Sequence, residues 1–175
     1  MTINFALSLS FEGIELLQRV QSGWRRIGRV EIGSATLDAD LAELREKAIV
    51  LAPDRIMTKL IIPSDQIKFT AIDSTLTTQD GIDAVLVDAT PYALEDLVVD
   101  YERSGGRTHI AAVARDTLKE AESFASAHGF NPVAFVAIPE PFTFQKEVFF
   151  GPTDAMLDIL GANASVARDG RPVFI

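Results

Sequence analysis

The stretch INFALSLSFEGIELLQRVQSGWRRIGRVEI, residues 3–32, decides the fold. Two short apolar runs, Ile3 to Leu9 and Ile14 to Val20, flank Phe11-Glu12-Gly13, and a third, Trp24 to Ile32, is entered through Ser22-Gly23. Runs of this length separated by glycine-bearing turns predict strands joined as hairpins. The chain therefore opens with a three-strand antiparallel meander.

Downstream of the meander the pattern changes to a helical period. Leu37, Leu41, Leu44 and Ala48 share one face, Thr36 is placed to cap it, Asp38 and Asp40 fall in the first turn, and Pro53 ends it. Ile56 to Ile62 and Ile67 to Ile72 read as strands on either side of Pro63. A second helix begins at Thr77 or Thr78 and carries Ile82, Val85, Leu86 and Ala89. Leu97 to Glu102 and Thr108 to Ala114 flank Arg103-Ser104-Gly105-Gly106-Arg107, a hairpin loop. Thr117 with Glu120 predicts a capping box for a third helix, whose stripe is Leu118, Ala121, Phe124 and Ala125 and whose C′ residue is Gly129. Val133 to Ile138 is a strand covered on both faces, and strand, helix, strand here predicts a right-handed parallel crossover. Beyond Pro139 the phenylalanines 142, 144, 149 and 150 crowd together, either sealing the core or waiting for a partner. Pro152 is read as starting a short helix that runs through Leu160, and Gly170 to Ile175 as a strand-like stub, the end of a fragment of a longer protein and a natural C-terminus being equally good readings of it.

Composition narrows the function. The 175 residues, 47% of them hydrophobic, with a mean hydropathy of +0.18, make a globular domain with its own core. A net charge of −9 gives no pull toward nucleic acid or anionic lipid, and no basic stripe offsets it. Without cysteine there is no disulfide framework or thiolate chemistry, which fits a reducing, cytoplasmic compartment. No leader and no apolar run of about 20 residues is expected to place the chain in a membrane.

Reactive constellations are sparse. His109 and His128 lack a second ligand at helical spacing, so no metal ligand is assigned. G-x-S-x-G, G-x-x-x-x-G-K-[ST] and G-x-G-x-x-G are absent, and no catalytic residue is assigned. The acidic pairs Asp80 with Asp83, Asp96 with Asp100, and Glu95 with Asp96 read as solvated faces. Trp24-Arg25-Arg26 reads as a strand with an inward ring and outward guanidiniums, the competing reading being a ligand or partner patch.

Three segments together resemble a known family: FALSLSFEGIELLQRVQSGWRRIGRVEI (5–32), ATPYALEDLVVDYER (89–103) and HIAAVARDTLKEAESFASAHGFNPVAFVAIPEPF (109–142). They are similar to the actin-like, ribonuclease H-like cytoplasmic domains of the type IV pilus M component and the type II secretion L component. The resemblance covers residues 3 to about 142. It implies an α/β fold with a mixed sheet: a ribonuclease H-like lobe at 1–63 and 131–175, with a βαββα subdomain inserted at 64–130. Only the first of the two lobes that close an actin-like cleft is matched. At the phosphate-loop positions Ser8 stands for the family's Asp, Ser10 for its Gly and Glu15 for its Lys.

These departures imply a non-catalytic scaffold that needs no cofactor. Its partner would be a protein or peptide, such as a membrane-anchored assembly component, met at the inner face of a membrane. The groove implied for that partner runs by Ile67, Phe69, Ile72, Leu94, Leu97 and Asp100. The rival reading is an ATP- and magnesium-dependent ATPase or nuclease using Ser8, Ser10 and Glu15, or a convergence of Asp73, Asp96 and Asp100. A third is a homodimer joined through Trp24 or the phenylalanine segment.

Overall fold

The computed structural model describes residues 2–174. β1 (Phe5–Leu9), β2 (Gly13–Val20) and β3 (Gly23–Glu31) form the antiparallel meander. Ser10 closes the first turn: its hydroxyl donates to the Gly13 carbonyl at 2.9 Å and accepts the Gly13 N–H at 3.1 Å. Across the second hairpin a bulge sets Leu16 opposite Gly28 and Leu17 opposite Arg26. Gly28 is where α1 (Leu37–Leu51) reaches the sheet; a Cβ there would stand 2.7 Å from Leu44 Cδ1.

Helix α1 returns the chain to β4 (Thr58–Ile61), parallel to β1. The next five elements are strand, helix, strand, strand, helix: β5 (Ile67–Ile72), α2 (Gln79–Ala89), β6 (Leu97–Ser104), β7 (Arg107–Ala114) and α3 (Arg115–Ala127). The three strands make a separate antiparallel sheet, ordered β5-β7-β6. Gly105 and Gly106 turn its hairpin with φ of 60° and 77°, the left-handed pair that a two-residue hairpin demands. β8 (Pro132–Ala137) then lies parallel to β4, and β9 (Val148–Pro152) antiparallel to β8. The large sheet is thus mixed and ordered β3-β2-β1-β4-β8-β9. A single-turn α4 (Met156–Leu160) follows.

Strand alternation divides the interior. Phe5, Leu7, Ile14, Leu16 and Leu60 face α1 and α3 in the main core, which also takes Ala111 and Val113 of the small sheet. Ala6, Leu17, Trp24, Ile61 and Val136 face the other way and meet Val173 of the C-terminal segment. Ile82 and Leu86 of α2 cover Leu97, Ile110 and Ala112 in a cluster of their own.

Several local expectations are corrected. Thr117 does not cap α3: β7 runs directly into it, Ala114 holds the N-cap position, and no side chain bonds the first turn. Thr36 holds the N-cap position of α1, but its hydroxyl goes to the Asp40 carboxylate at 3.1 Å and bonds no backbone N–H. Thr78 does cap α2, accepting the Gly81 N–H at 3.3 Å. The step from β7 through α3 to β8 crosses between sheets, so it is not a crossover within one. Pro152 ends β9, where a helix start was expected, because Val148 and Phe150 turn inward with a strand's period of two. Residues 170–174 form no strand; they cross the face of the large sheet, and Ile175 lies outside the described residues.

Candidate functional site

In an α/β sheet a ligand cleft is expected beyond the carboxyl ends of the parallel strands. Here the ends of β1 and β4, with Ile138 just after β8, open into a cleft of about 540 Å³. Ser8, Ser10, Glu12, Ser64 and Asp65 line it with oxygen, and Phe11, Ile62, Pro63 and Ile138 with carbon. Two of the three phosphate-loop positions are therefore present. Ser10 is already committed on both sides to Gly13. Glu15, opposite Ser8 in the ladder, turns away to bind Arg26 at 3.2 Å and Arg29 at 3.0 Å.

This lining does not fit a nucleotide triphosphate. Polyphosphate needs cations or aimed donors around it. The cleft offers the carboxylates of Glu12 and Asp65, and no Lys, Arg or His side chain lines it. Nor do Asp73, Asp96 and Asp100 converge. Asp73 follows β5 at the end of the small sheet where Ile72 pairs with Thr108, and it binds Arg107 at 2.8 Å. Asp96 precedes β6 at the opposite end, where Leu97 pairs with Ala114. Among the described residues no group of three or more His, Asp or Glu side chains is gathered that could hold a metal ion. His109 is buried with its ring 6.3 Å from that of Phe144, and His128 caps α3 with its ring 4.8 Å from that of Phe124.

The residues of the implied partner groove separate into three places. β5 and β6 are the two edges of the small sheet, with β7 between them. Ile67 and Phe69 pack in or against the main core, while Ile72, Leu94 and Leu97 pack in the cluster under α2. Asp100 is buried; it accepts the Phe149 N–H at 3.0 Å and pairs with Arg168. Ile67 and Leu97 do meet at the rim of one cleft of about 280 Å³, beside Pro91 and the exposed Tyr92. Phe69 lines another of about 510 Å³, between the small sheet and the loop that carries Phe142.

The four phenylalanines divide. Phe144 and Phe150 are buried, Phe149 is half-buried, and Phe142 stands wholly in solvent at a φ of 66°. Trp24 is buried, so of the two dimer anchors only the phenylalanine segment offers a ring to a second molecule.

Sequence reasoning missed the ionic cluster behind Trp24. Lys59 of β4 is about 1% exposed, and its ammonium binds the carboxylate of Glu147, itself buried, and that of Asp169 at 2.7 Å. Asp169 also takes Arg19 at 2.8 Å. Both cations sit over the Trp24 ring, Arg19 at 4.5 Å and Lys59 at 4.7 Å. Burial holds the Glu147 carboxyl above its ordinary value of 4.5, outweighing the opposing pull of Lys59. Burial also works against the Asp169 carboxylate, but hydrogen bonds from Lys59 and Arg19 prevail and hold it below 3.8. The one available signal was Lys59 itself, a lone charge inside the apolar run IMTKLII.

No family model matches the sequence, and no curated protein matches it. Solved structures do match the fold. The cytoplasmic domain of EpsL, an inner membrane component of the type II secretion system of Vibrio cholerae, superposes with a TM-score of 0.54 at 15% identity, over 79% of this chain and 60% of that one. A chain of the PilM-PilN type IV pilus biogenesis complex does so at 0.51 and 11% identity, over 75% of this chain and 46% of that one. The present chain spans about half to three fifths of the length of these structures. The resemblance drawn from residues 3 to about 142 thus holds at the level of fold: this is an α/β chain with a mixed six-stranded sheet, similar in fold to the cytoplasmic domain of EpsL and to a chain of the PilM-PilN complex.

Proposed function

We propose that the chain is a non-catalytic actin-like domain that binds protein in a membrane-associated assembly of the secretion or pilus type, at the cytoplasmic face. The observation that carries this reading is the cleft at the ends of β1 and β4: it lies beyond the carboxyl ends of parallel strands, where a ligand is expected, and presents Glu12 and Asp65 where phosphates would need positive charge. The shared fold with EpsL and PilM supports the choice of assembly. Exposed Tyr92 and Phe142, each beside a cleft on the small sheet, support a protein partner, since aromatic rings anchor such contacts. Among the described residues no helix is long and apolar enough to cross a membrane.

Calorimetric titration of magnesium ATP into the purified chain tests the reading. The expected result is no heat and no thermal shift. Micromolar binding, or ATP hydrolysis abolished by Ser8→Ala, would overturn it.

A further inference from the structure

The two faces of the large sheet are covered in different ways. One carries α1 and α3; the other is crossed by the C-terminal segment, which has no regular secondary structure after Gly161. Arg168 reaches Asp100 on β6, Asp169 reaches Lys59 on β4 and Arg19 on β2, Val173 packs with Trp24 of β3, and Phe174 lies over Gly23 at the β2–β3 turn. We propose that residues 162–174 are a releasable strap, which lifts from the sheet as a unit while the rest of the fold stays intact and uncovers the apolar strip of Ala6, Leu17, Trp24, Ile61 and Val136.

The manner of attachment supports release. Val173 is the only apolar side chain that residues 162–174 bury fully; Ala164 and Val166 are half-buried and Phe174 is half-exposed. The remaining hold joins hydrogen bonds between Glu147 and the Asp169 backbone, at 3.2 and 3.3 Å, to ion pairs whose inner members, Lys59 and Asp100, are buried; the outer members, Asp169, Arg19 and Arg168, are each about a quarter to a third exposed, so water reaches one side of every pair. Such contacts weaken with salt far more than buried ones.

Charge balance points the same way. An unpaired buried ammonium would forbid lifting Asp169 off Lys59. Glu147 removes that obstacle, because it belongs to the segment before β9, is buried with Lys59, and stays paired to it when the strap departs. Asp100 gives up the Arg168 guanidinium and keeps the Phe149 N–H as a hydrogen-bond donor. Arg19 keeps its 2.7 Å bond to the Ile3 carbonyl and its place over Trp24.

Trp24 is the sole tryptophan and lies under the strap, so its fluorescence reports the motion. Acrylamide quenching, with acrylamide chosen because it is uncharged, would be measured on the full chain in low and molar salt, and on the double variant Arg168→Gln, Val173→Ser. The expected result is a severalfold rise in quenching in molar salt and in the variant, with circular dichroism unchanged. Quenching that rises only together with loss of circular dichroism would overturn the proposal, as would quenching that never rises. If the variant fails to fold, hydrogen exchange of the wild type decides. The Asp169 N–H, bonded to Glu147 at 3.2 Å, should exchange well before the amides of Leu7 and Leu60; exchange at one common rate would overturn the strap.

Discussion

Arg168 and Asp100 meet fork to fork: Nη1 and Nη2 of the guanidinium each stand 2.9 Å from a different oxygen of the carboxylate. The pair joins the C-terminal segment to the small sheet, and the same carboxylate accepts the N–H of Phe149 on β9. One side chain thus serves three parts of the chain.

Asp100→Ala should therefore cost more than Arg168→Ala. It strips a buried N–H of its acceptor and frees a guanidinium, a loss of about 2–4 kcal/mol. Arg168→Ala leaves the buried Asp100 with one donor and should cost about 1–2 kcal/mol, less than the loss of Asp100 because the guanidinium itself is a third exposed. Urea unfolding of the two variants gives the ordering, and equal losses would contradict it.

Lys59→Met should be the more severe single change in the ionic cluster. It leaves Glu147 buried opposite a thioether, at a cost of about 3–5 kcal/mol. The double variant Lys59→Met, Glu147→Leu should recover most of that loss, since a buried ion pair replaced by apolar groups of similar size is often neutral. Failure of the second substitution to rescue the first would show that the pair contributes net stability.

The cluster also sets opposite pH responses. Glu147, held above 4.5 in the fold, contributes stability that is fully present below its unfolded value and lost as pH rises through the folded one. Asp169, held below 3.8, contributes stability present above that value and lost as pH falls through the folded one. Stability at these two sites should first rise as acid is added to a neutral solution, then fall once the pH drops below 3.8. Denaturant titrations across this range should show Glu147→Gln removing the rise and Asp169→Asn removing the fall.

Two phenylalanines two residues apart should respond very unequally. Phe144→Ala empties a core position and should cost about 3–5 kcal/mol. Phe142→Gly releases a non-glycine residue from the left-handed region, worth roughly 1 kcal/mol, against the greater chain entropy of glycine. The melting temperature of Phe142→Gly should stay close to that of the parent. If the proposed partner binds this loop, affinity should drop although stability does not.

The legible part of the fold was its local part. Hydrophobic alternation in residues 3–32, the period of Leu37 to Ala48 and the Gly105-Gly106 turn each announce themselves within a short window. β9 was hidden because Phe149 and Phe150 sit side by side in a run where inward and outward rings look alike, and pairing with β8 decides between them. The ionic cluster was hidden for a different reason. Lys59 finds Glu147 and Asp169 across 88 and 110 residues, and no periodicity encodes a contact of that range. Ser8 and Ser10 lie at the C-terminal end of β1 and Glu15 in β2, and the engagement of Glu15 with Arg26 and Arg29 depends on the β2–β3 register, which no short window of sequence displays.

The meeting of the two sheets has a consequence for self-association. β6 and β9 lie side by side without a ladder: Asp100 and Glu102 of β6 accept the N–H groups of Phe149, Gln145 and Lys146 through their carboxylates. Carboxylate caps of this kind take up donors that an incoming chain would otherwise use to extend a sheet. β3, at the far edge, carries Arg25, Arg26 and Arg29, whose charges repel a second copy brought alongside. That leaves β5, short and bearing only Lys68, as the margin least defended against a foreign strand. Runaway polymerisation, if it ever overtakes this protein, should start there.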